Sequence, residues 1–336
     1  MIDQFVKKYH LQSFRITQFN RAYYKDFITS FDQLTTWSKE IREELKKIVP
    51  FSTLIPVKEI ESIDHGTTKV LFSRTSDEKC FEAVLMRHGD GRNTVCVSCM
   101  IGCPLGCKFC ATGKMKFVGS LTAREIIDQV LHFARILNKQ QQTITNIVFM
   151  GMGEPLLNLE QVTEAIKILN DPKRIGLGIR RITISTSGIT PKVYELLKSG
   201  YKGRLALSLH APDQKLRESL MPIAKKYLLQ ELISAVKAFA TRTQLRVSFE
   251  YILIDGINDQ PKHAFSLIRL IGHINPNLVH INLIPYNPAA GVDFKRSLAK
   301  SSCAFAKILT NHGIQNTFRV TMGDDIKAAC GQLATA

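Results

Sequence analysis

From residue 95 onward the chain alternates short apolar, β-branched runs with helical stretches, and this alternation limits the possible folds more than any other feature. The runs lie at residues 94–97, 144–150, 181–186, 204–209, 245–254 and 279–284, with a seventh at 315–320. Most precede a helical pattern. The clearest helix covers 121–137, where Thr122 and Glu125 have capping-box spacing, each side chain satisfying the other residue's backbone N–H. Strands separated by helices run parallel, because the crossover returns the chain to the same end of the sheet. Six or so such units predict an α/β protein, either a partial barrel or an open doubly wound sheet. The pattern contains no internal repeat and no low-complexity segment.

The first 80 or so residues read differently. Residues 34–47 have helical periodicity, with Leu34, Trp37, Ile41 and Leu45 on one face and Lys39, Arg42, Lys46 and Lys47 on the other. Residues 14–28 are also amphipathic, and 57–73 predict short strands about a turn at His65-Gly66. We therefore expect a small, mostly helical accessory domain over 1–78 and the main domain over 79–336. The accessory domain is either a packing cap or an RNA-docking element.

Charge narrows the partner. Lys plus Arg number 45 against 29 acidic residues, a net +16, which points to a polyanion and most simply to nucleic acid. With 45% hydrophobic and 22% charged residues, composition excludes a disordered tail or a disulfide scaffold. No apolar run approaches the roughly 20 residues that span a bilayer, and the first residues carry no signal-peptide pattern. A cytoplasmic monomer with no membrane partner is the expectation.

Five of the eight cysteines fall between positions 96 and 110: Cys96, Cys99, Cys103, Cys107 and Cys110. In a reducing compartment such density means metal or redox chemistry. One reading pairs Cys96-x2-Cys99 with Cys107-x2-Cys110 as a zinc site, although the pairs are close together and Cys103 is left over. The other takes Cys103-x3-Cys107-x2-Cys110 as three ligands of a 4Fe-4S cluster, leaving one iron open to a small molecule. Further polar residues end the later strands: Gly153 and Glu154, Ser185, Ser208 and His210, and Asn287. Functional groups at the C-terminal ends of parallel strands are the usual geometry of an active site.

These residues also carry a resemblance. Cys96 to Cys110, Gly151-Met-Gly-Glu-Pro-Leu-Leu-Asn158, Ser185-Thr-Ser-Gly188, Ser208-Leu-His-Ala-Pro212, Asn282 to Pro288 and Gly323 to Leu333 are similar, in order and spacing, to the radical S-adenosylmethionine adenine methyltransferases of the RlmN/Cfr family. The resemblance implies a partial (β/α)6 barrel that methylates an adenine carbon in RNA. It implies Cys103, Cys107 and Cys110 as cluster ligands, and Gly153, Glu154, Ser185, Ser208, Leu209, His210 and Asn287 as the S-adenosylmethionine site. Cys330 would carry the methyl group, Cys96 would be the resolving thiol and Glu82 the acid–base residue. The resemblance further implies two S-adenosylmethionine molecules per turnover, one to methylate Cys330 and one to generate the radical that activates that methyl. It would leave a Cys96–Cys330 disulfide for a thiol reductant, and an electron donor would feed the cluster. The expected substrate is carbon 2 of an adenine in the 23S rRNA peptidyl-transferase centre, with a tRNA adenine as a further candidate. Methylation of carbon 8 of the same rRNA adenine is the alternative within the family, and a zinc-bound RNA-binding protein the alternative outside it. Two departures stand out: Cys99 and Met100 replace a Ser and a Gln of the family, and the stretch after Met221-Pro222 lacks the family's Asn and Pro.

Overall fold

The computed structural model describes residues 2–288 and 292–334. Its first part is α1 (Ile2–Lys8), α2 (Phe14–Tyr24) and α3 (Lys39–Ile48) around an aromatic core. In that core Phe5 stacks on Trp37 with centroids 6.0 Å apart, and Phe19 on Tyr23 at 5.2 Å. The third helix begins later than its periodicity predicts. Ser38 caps it by accepting from the Ile41 N–H, while Leu34 and Trp37 are buried by the irregular chain before it. Its basic face is also largely spent internally: Lys46 pairs with Asp32 at 2.6 Å and Glu43 at 2.8 Å, and Lys47 with Glu44 at 2.7 Å.

A single ten-stranded sheet follows. The strands β1 (Leu54–Glu61), β2 (Thr67–Arg74), β3 (Cys80–Arg87) and β4 (Asn93–Cys96) pair antiparallel in that order. The expected division at 78/79 thus falls in the turn between β2 and β3, which remain paired from Thr67↔Met86 to Ser73↔Cys80. A small ribbon of β5 (Met100–Ile101) and β6 (Gly119–Ser120) brackets the cysteine loop. Then come α4 (Ala123–Lys139), β7 (Asn146–Phe149), α5 (Leu159–Asn170), β8 (Ile182–Thr186), α6 (Thr190–Lys198) and β9 (Arg204–Ser208). The chain continues through α7 (Gln214–Leu220), α8 (Leu229–Thr243), β10 (Val247–Leu253), α9 (Pro261–Ile271), β11 (Val279–Pro285), α10 (Ala299–Asn311) and β12 (Asn316–Phe318). From β4 to β12 every neighbouring pair in the main sheet is parallel and the order is sequential, which is the partial barrel expected. The capping box at Thr122 and Glu125 is formed in both directions.

The period of two along each strand divides the molecule. Ile147, Phe149, Ile184, Leu205, Leu207, Phe249 and Leu283 are at most 1% exposed and form the core between sheet and helices. There they meet Ile127 and Leu131 of α4, Val236 and Phe239 of α8 and Leu267 of α9, all at 0%. Each such side chain contributes about 1.5–3 kcal/mol through burial. The alternate residues, among them Thr183, Ser248 and Asn282, line cavities inside the barrel. Cohesion therefore lies outside the barrel, which leaves the interior for chemistry.

Candidate active site

The cysteine loop leaves β5 and is closed by short backbone bonds, Cys110 N–H to the Cys107 carbonyl at 3.2 Å and Gly113 N–H to the Cys110 carbonyl at 3.1 Å. Glycine is required at 113, where a Cβ would meet the Cys107 carbonyl oxygen at 2.8 Å. Cys103, Cys107 and Cys110 all open into one cavity at the C-terminal ends of the strands. Burial raises all three thiol pKa values, Cys103 to about 12. Neighbouring thiols add to that rise, so these protons leave only when a cation takes their place.

Gly153 and Glu154 reach the same cavity from the turn after β7, Ser185 from β8, and Ser208 and His210 from the end of β9. Gly153 has φ of +102° and packs so tightly that a Cβ would meet that of Met100 at 2.5 Å. Glu154 accepts from the Ser187 N–H at 2.7 Å and the Leu156 N–H at 3.0 Å. Burial raises its pKa, and these hydrogen bonds oppose the rise. The Ser185 and Ser208 hydroxyls lie 3.4 Å apart. His210 Nδ1 accepts from the Ile252 N–H at 3.1 Å, which assigns the hydrogen of the neutral ring to Nε2. Burial, helped by the Arg217 charge, pushes its pKa down to about 3. Leu209 is fully buried and not in the wall, so only its backbone is near the site.

Cys330 lines this cavity and a second one, where it meets Cys96 and Asn287. Its segment is stitched to the cysteine loop: the Ala111 N–H donates to the Gly331 carbonyl at 2.8 Å, and the Thr112 hydroxyl to the Leu333 carbonyl at 2.6 Å. Asn287 Nδ2 donates to the Cys330 carbonyl at 3.3 Å. Cys96 sits at the end of β4, its pKa pushed up to about 12 by burial first and then by Cys330. Glu82 is the one predicted catalytic side chain outside both cavities. Its carboxylate is held by Lys69 at 2.9 Å and by the Ala334 N–H at 3.0 Å. Cys99 is buried against the Met152 carbonyl, also outside both cavities.

Three charged residues joined the site without being foreseen. Arg217, 0% exposed on α7, donates to the carbonyls of Leu209 at 3.2 Å and Ser208 at 3.3 Å, and its Nη1 has no partner. It lies within electrostatic reach of Cys107 and Glu154. A buried, half-satisfied cation beside the thiols fits an anionic iron–sulfur cluster. Arg319 lines both cavities and pairs with Glu250 at 3.6 Å. Glu250 was visible as a lone carboxylate inside the apolar run of β10; Arg217 and Arg319 sit among other surface-like charges and gave no such signal.

Comparison with known proteins gives a consistent picture. The radical SAM superfamily model matches residues 97–268. A probable dual-specificity RNA methyltransferase RlmN 2 of Protochlamydia amoebophila is 40% identical over 331 residues, covering 98% of this chain and 91% of the relative. The ribosomal RNA large subunit methyltransferase N of Nitrosopumilus maritimus is 42% identical, covering 93% and 90%. A solved radical SAM methyltransferase from Sphaerobacter thermophilus superposes with a TM-score of 0.95 at 40% identity, covering 99% of this chain and 96% of that one.

Proposed function

The chain belongs to the RlmN family of radical S-adenosylmethionine RNA methyltransferases, and from that premise we propose that it methylates carbon 2 of an adenine in 23S rRNA and in tRNA. The observation that carries this reading is the shared wall of the two chambers: Cys103 and Cys107 face one, Cys96 faces the other, and Cys110 and Cys330 face both.

Cys103, Cys107 and Cys110 would hold a 4Fe-4S cluster, which would supply the low-potential electron that S-adenosylmethionine radical chemistry needs. Glu154, Ser185, Ser208 and neutral His210 line the same chamber with one acceptor carboxylate, two adaptable hydroxyls and one ring N–H donor, suited to the ammonium, carboxylate and ribose of that cofactor. Gly153 lets its backbone approach closely. Asn287 fixes the backbone at Cys330.

An electron-poor ring carbon does not attack a sulfonium, so the methyl group is carried first on the Cys330 sulfur and then joined to the ring. Cys96 attacks that sulfur to free the product, and the two sulfurs end as a disulfide that an external thiol reduces. Glu82 removes the ring proton once the Ala334 contact opens, since its carboxylate is otherwise occupied. Residues 1–78 dock RNA, a role supported by the overall charge of +16 more than by α3, whose Lys46 and Lys47 are paired. The enzyme works as a cytoplasmic monomer with a separate electron donor. Among the described residues no helix is long and apolar enough to cross a membrane.

The test is nucleoside mass spectrometry after anaerobic reaction of reconstituted protein with S-adenosylmethionine, a reductant and unmodified 23S rRNA or tRNA. 2-Methyladenosine is expected in both RNAs. 8-Methyladenosine would place the chain with the Cfr branch, and no methyladenosine from cluster-loaded protein would overturn the reading.

A further inference from the structure

The alternation that buries apolar side chains outside the sheet turns every second residue into the barrel, and these residues form tiers. The upper tier is the site already described. Below it the middle tier holds Thr94, Thr183, Ser248 and Asn282. Parallel barrels are normally filled at this level by layers of Val, Ile and Leu. Small polar residues leave space instead, and one cavity runs from Met150 and Arg319 down to Arg92 and Arg204.

At the base a further concavity is ringed by Arg92, Arg180, Arg204, Arg246 and His280, with no carboxylate in its wall. Arg92 is paired with Asp90 at 2.7 Å. The other three arginines have no ion pair or side-chain hydrogen bond among the described residues. Elsewhere Arg74, Arg124 and Arg296 all engage carboxylates. The four arginines are exposed, while His280 and Asn282 in the same wall are held by a side-chain network. Thr317 donates to Asn282 Oδ1 at 3.1 Å, and the Asn282 amide donates to Glu250 at 2.8 Å. The Thr317 proton is thereby committed, so His280 Nε2, 3.0 Å from Thr317 Oγ1, is the donor.

We propose that this arginine-ringed base is a binding site for a small phosphate-bearing anion. Like charges converging on one concavity repel until an anion bridges them, and guanidinium forks match phosphate oxygens in pairs. The site is distinct from the one that receives substrate RNA. The reacting adenine meets Cys330 at the C-terminal strand ends, whereas the arginines stand at the N-terminal ends of strands up to seven residues long. At about 3.3 Å per residue the two ends are roughly 20 Å apart. The surrounding helices lie between them, so an RNA bound at the rim does not also fill the base. The inference does not depend on which adenine carbon is methylated.

Inorganic pyrophosphate is the probe, titrated calorimetrically into the cluster-loaded protein in parallel with an Arg204→Gln/Arg246→Gln variant and with an Arg242→Gln control on the exposed end of α8. Saturable binding by wild type and control, weakened about tenfold or more in the double variant, is expected from the loss of two charge-assisted contacts. Thermal melting should rise with pyrophosphate only where binding is retained, and circular dichroism reports whether the variant is folded; single Arg204→Gln and Arg246→Gln variants serve if it is not. Absence of saturable binding, or equal weakening in the control, overturns the proposal. So does a variant that binds pyrophosphate normally but loses affinity for substrate RNA, since the arginines would then serve the RNA backbone.

Discussion

Thr112, in the cysteine loop, donates its hydroxyl to the carbonyl of Leu333 at 2.6 Å, so the segment that bears Cys330 is fastened to the loop that bears the three other thiols. This buried bond joins residues 221 positions apart in sequence.

Thr112→Val keeps the shape and removes that donor. The expected result is a cluster absorbance like that of wild type with methyl loading of Cys330 reduced about tenfold, from a loss of about 1–2 kcal/mol in seating the segment. Peptide mass spectrometry after incubation with S-adenosylmethionine measures the loading. Unchanged loading would mean that the Ala111–Gly331 contact suffices alone.

The two cysteines facing the second chamber should fail differently. Cys330→Ala abolishes methylation and leaves the cluster intact, because Cys330 is not among the loop thiols. Cys96→Ala stops the reaction after the carbon–carbon bond has formed, giving an enzyme–RNA adduct seen as a shifted band on a denaturing gel. Continued turnover of either variant contradicts its assigned role.

Arg217 holds carbonyls at the ends of β8 and β9 while sitting 0% exposed. Arg217→Met leaves those oxygens buried and unpaired, at about 1–3 kcal/mol each. Urea unfolding should show a loss of about 3 kcal/mol or more; a loss under about 1 kcal/mol would show that the carbonyls find other donors.

The depressed pKa of His210, about 3 in the folded chain against about 6.5 unfolded, fixes a pH trend. Between those values the unfolded state binds the extra proton, so stability is full above about pH 6.5 and falls as the medium is acidified. Near pH 5 the slope due to this residue is about 1.4 kcal/mol per pH unit. The raised pKa values of Glu154 and Glu250 act in the opposite sense, so the informative quantity is the difference between wild type and His210→Gln. Equal pH slopes in the two proteins would show that His210 is not the titrating group.

Legibility of the fold followed burial pattern. Strands covered by helices on one face, such as β8 and β10, were readable to within two residues or so because their β-branched runs end in polar residues or glycine. β3 was not, since Phe81 through Leu85 are all buried and show no alternation. The two-residue β5 and β6 are too short for any periodicity, and α1, with seven residues, is held by Phe5 packing on Trp37 instead of by local preference. The cysteine spacing and strand-end polar residues located eight of the groups that line the first cavity, and the resemblance added Cys330. Arg319 was invisible because its partner Glu250 is distant in sequence, and Arg217 because its partners are backbone carbonyls, which leave no side-chain signal.

The separation of an apolar shell from a polar barrel interior has an evolutionary consequence. Changes at Thr183, Ser248 or Asn282 alter what the lumen accepts while leaving untouched the packing of Phe249 or Leu205 that keeps the chain folded. New specificities can therefore accumulate one residue at a time, with selection acting on chemistry before it meets any threshold of stability.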